Sequence, residues 1–88
     1  MFYTYILKSK KDKKLYTGYT NNLRARLQKH QSQKVTSTKY REGLELIYFE
    51  GCLDETDAKK RERYLKSGPG KKFLKNRLKF YSERAEAR

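Results

Sequence analysis

The run from Phe2 to Thr20 constrains the fold more than any other part of the chain. FYTYILK (Phe2 to Lys8) and LYTGYT (Leu15 to Thr20) are dense in aromatic and β-branched residues, and the polar KKDKK from Lys10 to Lys14 separates them. This composition, with a connection this short, predicts a β-hairpin. Period-two alternation groups Tyr3, Tyr5 and Leu7 on one face of the first strand, with Phe2, Thr4 and Ile6 on the other. In the second strand it separates Tyr16 and Gly18 from Leu15, Thr17 and Tyr19. Which faces coincide depends on register, so alternation alone leaves open whether Tyr5 and Tyr16 are neighbours.

A helix follows at once. Thr20, Asn21 and Asn22 are N-cap residue types, and Leu23 and Leu27 form an i, i+4 apolar stripe in a helix ending near Gln31. Arg26 and His30 fall on one flank of that stripe, Arg24 and Gln31 on the other. Gln31 to Gly43 is polar, basic and aperiodic, hence a loop, and Leu44 to Phe49 reads as a third strand closed by Glu50 and Gly51. Asp54 and Asp57 resemble a capping box at the start of a second helix running to about Ser67. Gly68-Pro69-Gly70 breaks it, and Lys71 to Tyr81 begins a third helix with a broad apolar arc from Phe73 to Tyr81. The expected fold is α/β in composition (α+β), a small three-stranded antiparallel sheet flanked by helices in the order β-β-α-β-α-α. One domain spans residues 1–81, and a charged tail at 82–88 is expected to fray.

The chain has 88 residues, room for one domain with a thin core. Lys and Arg number 23 against 10 acids, a formal charge of +13 that calls for a polyanionic partner, nucleic acid before any other. No run approaches the ~18 apolar residues of a spanning helix, and the N-terminus lacks a signal-peptide core, so a soluble cytoplasmic protein with no membrane association is expected. Cys52 is the only cysteine, which excludes an intrachain disulfide and suits a small buried hydrophobe. His30 is the only histidine, so a histidine metal cluster is not expected.

Eliminating the acids one by one isolates a single candidate. Asp12 suits a turn; Glu42, Glu45 and Glu50 border the third strand; Asp54, Glu55 and Asp57 fit a helix start; Glu83 and Glu86 lie in the tail. Glu62 remains, on the inward stripe of the second helix. It either pairs with Lys66 at i, i+4, a contact worth ~0.3 kcal/mol, or serves a site.

Tyr3-Thr4-Tyr5, Tyr16-Thr17-Gly18, Asn22-Leu23, Arg26-x-x-x-His30 and then Glu62 together resemble the GIY-YIG nuclease family. The likeness is to its small stand-alone bacterial members, related to the N-terminal nuclease domain of the bacterial excision-repair nuclease, and it covers Phe2 to about Leu78. Tyr3 stands where the family name has glycine, and Thr17 where it has isoleucine. The resemblance implies that Tyr5 and Tyr16 assist deprotonation of the attacking water, with Tyr16 the first choice as base. It implies also that Arg26 stabilises charge on the phosphoryl oxygens, that His30 hydrogen-bonds within the site, and that Glu62 binds one divalent cation, Mg²⁺ or Mn²⁺. Asn76 is only a loose match to the family's late asparagine.

The expected activity is therefore metal-dependent endonucleolytic cleavage of DNA, leaving a 5′-phosphate and a 3′-hydroxyl, in repair or recombination. Lys34, Lys39, Arg41, Lys71 and Lys72 are candidate phosphate contacts, giving salt-sensitive binding with little sequence preference. The main alternative is a catalytically silent nucleic-acid-binding domain on the same fold. An RNA-associated protein stacking bases on its aromatic side chains is the third reading.

Overall fold

A computed structural model describes residues 1–32 and 43–86. Strands β1 (Phe2–Ser9) and β2 (Leu15–Thr20) form the hairpin, helix α1 (Leu23–Gln31) follows, and β3 (Leu44–Cys52) completes an antiparallel sheet in the order β2-β1-β3. Helices α2 (Glu55–Lys66), α3 (Gly68–Arg77) and α4 (Lys79–Glu86) end the chain. The α+β class and three-stranded sheet agree with the sequence reading, with one helix more than expected. Among the described residues, no helix is long and apolar enough to cross a membrane.

β1 is central, with both of its edges paired, and Thr4, Tyr5, Ile6 and Leu7 are all buried. Ile6 packs against Leu65 of α2 and Leu74 of α3, with Ile47, Tyr48, Phe73 and Leu78 around them. Full burial of such side chains stabilises by roughly 1.5–3 kcal/mol each. β2 is an edge strand, and its pairing settles the register: Tyr5 lies opposite Gly18 and Leu7 opposite Tyr16. Tyr5 and Tyr16 are therefore diagonal neighbours on one face.

β3 runs past Phe49 because the central strand offers a partner along its full length: Thr4 pairs with Glu50, Tyr3 with Gly51 and Phe2 with Cys52. Cys52 is half-buried rather than buried, and its thiol donates to the Asp54 carbonyl. Asn22 caps α1 by accepting from the Ala25 amide, and Asp54 caps α2 by accepting from the Thr56 and Asp57 amides.

Gly68-Pro69-Gly70 ends α2 but is itself the first turn of α3, capped by Ser67, since proline suits a position where its missing N–H is not needed. Gly70 is buried where α3 crosses α2, and a Cβ there would run into the Tyr64 carbonyl. The expected single last helix divides at Leu78, whose backbone leaves helical geometry. Phe80 is consequently 68% exposed instead of completing the apolar arc. Residues 82–86, expected as a frayed tail, belong to α4.

Two contacts fix α2 on the sheet. The Thr4 hydroxyl donates to the Ala58 carbonyl at 3.0 Å. Arg61 donates to Glu50 of β3 at 2.7 and 3.3 Å while its guanidinium lies 4.5 Å from the Phe73 ring centre. Tyr48 donates to the same carboxylate at 2.7 Å, so β3, α2 and α3 share one polar clamp. Its consequence is functional, because Glu62 follows Arg61 directly.

Candidate active site

The first turns of α1 carry the chain over the hairpin and bring His30 down onto Tyr5. His30 is the one buried residue of α1, although the Leu23 and Leu27 stripe is the obvious apolar feature of that helix. Tyr5 is only 3% exposed; its Oη lies 2.9 Å from His30 Nε2, and the two rings meet edge-on with centroids 5.8 Å apart. Gly18 makes this possible. A Cβ at that position would collide with Cζ and Oη of Tyr5, so the ring rests on the bare backbone of the edge strand.

Around this pair opens a cleft of about 840 Å³ lined by Tyr5, Tyr16, Arg26, His30 and Glu62. All five site residues expected from the sequence thus meet in one cleft. Arg26 precedes His30 by one helical turn and pulls the pKa values of both Tyr5 and His30 down. Burial pushes the Tyr5 phenol up, Arg26 opposes this, and Glu62 adds to the rise, leaving Tyr5 above the ordinary tyrosine range. Burial lowers His30, and Arg26 lowers it further, so the imidazole is neutral at pH 7. A neutral ring can either donate or accept at Nε2, so the Tyr5–His30 bond works with the phenol protonated.

Among the described residues Glu62 is the sole carboxylate lining the cleft, with its side chain 27% exposed. Its contact to Lys66 is 3.8 Å long, and the lysine is 56% exposed, so the pair holds the carboxylate weakly. Among the described residues no cluster of three or more His, Cys, Asp or Glu side chains could cage a metal. One accessible carboxylate does not suit zinc, which takes several N or S donors, but it fits a hard ion such as Mg²⁺ that keeps most of its waters.

Lys71 lines the cleft as expected of a phosphate contact, and Lys14 and Lys66 join it there. Lys72 and Asn76 are exposed and do not line the cleft. Lys34, Lys39 and Arg41 lie outside the described residues. The sequence reading missed Tyr19. This residue lines the cleft, donates to Glu55 and lies under the Lys59 ammonium at 5.6 Å. That hydrogen bond is the largest influence pushing its pKa up to about 12, so Tyr19 stays protonated. Glu55 had a sufficient explanation as a helix-start residue, and only the fold could reveal its second partner, 36 positions away.

A family model described as the GIY-YIG catalytic domain matches residues 1–76. The chain is 44% identical over 69 residues to a UPF0213 protein of Clostridium perfringens, covering 75% of this chain and 71% of that protein. It is 39% identical over 74 residues to a UPF0213 protein of Oceanobacillus iheyensis, covering 83% and 85%. A third relative, from Pediococcus acidilactici, is 38% identical over 81 residues, covering 85% and 82%. No solved structure gives a significant match.

Proposed function

The chain belongs to the GIY-YIG family, a nuclease superfamily, and from that premise we propose that it is a metal-dependent DNA endonuclease acting in repair or recombination. The observation that carries the reading is the meeting of Tyr5, Tyr16, Arg26, His30 and the Glu62 carboxylate in one open, lysine-flanked cleft.

The reaction is in-line displacement at phosphorus: water attacks, the bond to the 3′-oxygen breaks, and the products are a 5′-phosphate and a 3′-hydroxyl. Tyr16, once its own phenolic proton has passed to solvent in the open cleft, takes the proton of the attacking water. Burial keeps the Tyr5 phenol protonated, and its role is to orient the water while His30 fixes its ring. Arg26 faces the charge that grows on the phosphoryl oxygens, and preorganised charge of this kind is often the largest catalytic term. The leaving 3′-oxygen collects its proton from solvent in the open cleft. Glu62 would hold a single Mg²⁺ or Mn²⁺, which when bound supplies further positive charge at the phosphate.

Incubation with supercoiled, linear and branched DNA in Mg²⁺, Mn²⁺ or EDTA tests the proposal, beside Glu62→Ala carried through the same purification. Cation-dependent cutting that the variant lacks supports it. Cutting that survives the substitution removes the metal assignment to Glu62, and salt-sensitive binding without cutting on every substrate replaces the nuclease by a silent binding domain.

A further inference from the structure

At the hairpin-turn end of the sheet lies a second cavity, of about 450 Å³, that the catalytic proposal does not use. Lys8, Ser9, Lys10 and Lys13 line it from the hairpin, Glu45 from β3 and Arg84 from α4. Among the described residues, four cations thus face one carboxylate, and that carboxylate is partly engaged, since Tyr81 donates to it at 3.3 Å. Lys8 rests over the Tyr81 ring, 5.3 Å from its centre, which holds its ammonium at the cavity edge.

Two features mark this as more than a solvated basic surface. Ser9 is 0% exposed, and among the described residues its hydroxyl is the one buried side-chain polar atom without a hydrogen-bond partner. Its backbone is fully used, the amide donating to the Lys14 carbonyl and the carbonyl accepting from Lys13. A buried hydroxyl left unpaired costs ~1–3 kcal/mol, and a ligand acceptor in the cavity would satisfy it. Lys13 adopts φ of +63°, the left-handed conformation for which glycine or asparagine is the ordinary choice. The left-handed backbone at Lys13 sets its charge beside the cavity.

The cavity also connects to the active cleft. A smaller groove of about 220 Å³ lies between them, sharing Lys8 and Lys13 with the distal cavity and Leu15 and Lys71 with the cleft. Lys75 adds a further cation, and among the described residues no carboxylate lines this groove.

We propose that the distal cavity is a second phosphate site, which holds the backbone of a polynucleotide whose scissile phosphate lies in the cleft. This deepens the nucleic-acid reading and rests on it. The Ser9 hydroxyl and the cations at 8, 10, 13 and 84 contact non-bridging phosphate oxygens. Their contribution to affinity is independent of sequence and steep in salt.

The test is binding in EDTA, so that it does not depend on turnover. The probes are a hairpin-closed stem of about 6 base pairs and a duplex of about 20, which at ~3.4 Å per base pair are shorter and longer than the 38 Å molecule. The variant is Lys13→Gly with Arg84→Gln, chosen because glycine relieves the backbone at 13. Lys60→Ala with Lys79→Ala, two cations that line neither the cleft nor the distal cavity, removes the same charge as a control. The wild-type preference for the long probe should fall about tenfold in the variant, with the salt slope reduced by ~1.8, while the control retains the preference. No length preference in the wild type, an unchanged preference in the variant, or an equal loss in the control overturns the proposal. Failure to cut DNA in Mg²⁺, with the length preference intact, would remove the nuclease reading and leave this site standing.

Discussion

Gly18→Ala perturbs the contact on which the site is built. The new Cβ would overlap Cζ and Oη of Tyr5 and come within 2.9 Å of Cε1, and Tyr5 is 3% exposed, so the ring must leave its packed position. Overpacking of this kind costs ~1–3 kcal/mol. Moving the ring also breaks the 2.9 Å Tyr5–His30 bond and costs the buried Tyr5 hydroxyl this partner, another ~1–3 kcal/mol. Replacing glycine in a strand returns up to ~1 kcal/mol through the unfolded chain, and β2 as an edge strand can yield slightly. The net expectation is a loss of about 2–4 kcal/mol, or ~10–25 °C in Tm for a domain of this size. Thermal unfolding followed by circular dichroism, with urea titration for the free energy, reads the effect. In a Tyr5→Phe background, where Oη and the hydrogen bond are already absent, the same substitution should cost ~1–2 kcal/mol less. A Gly18→Ala protein that melts within ~2 °C of wild type would refute the reasoning.

Other perturbations separate stability from chemistry. Glu62→Ala should leave the unfolding free energy within ~0.5 kcal/mol of wild type, because its ion pair with Lys66 is long and solvated, while cleavage is lost. Urea unfolding beside the cleavage assay checks both halves. His30 has a folded pKa below its unfolded value of ~6.5, so the unfolded state binds more protons below that pH. Stability should therefore be complete above pH 6.5 and fall as the pH drops below it, and Tm measured from pH 5 to 8 should lose this component in His30→Gln. Gly70→Ala should destabilise by more than ~2 kcal/mol, since its Cβ would meet the Tyr64 carbonyl and lie 2.6 Å from the Leu65 Cα; chemical denaturation measures this directly.

Local rules made part of this molecule legible. The two strands of the hairpin, a cap among Thr20, Asn21 and Asn22, the cap at Asp54, and Glu62 as the acid left over could be read because each depends on neighbours within a few residues. The pairing of Tyr5 with Gly18 could not, because register is decided by contacts across the sheet. The β3 extension to Cys52 reflects the length of its partner strand, and the use of Gly68-Pro69-Gly70 as a first helical turn reflects how closely α3 crosses α2. The division at Leu78 left no mark in the apolar spacing, since Phe80 and Tyr81 continue the pattern while Phe80 lies in solvent. Tyr19 escaped because its partner Glu55 already had a local role, and a residue with one adequate explanation hides a second.

In the proposed reaction the cleft between β2, α1 and α2 is the reacting centre and Tyr16 takes the proton from water. Single-turnover cleavage of a DNA substrate in Mg²⁺ by wild type and Tyr16→Phe, with affinity measured separately in EDTA, tests it most directly. The expected rate is lower by ~10²- to 10⁴-fold, with affinity changed by less than about threefold. A Tyr16→Phe enzyme that cuts at the wild-type rate would contradict it.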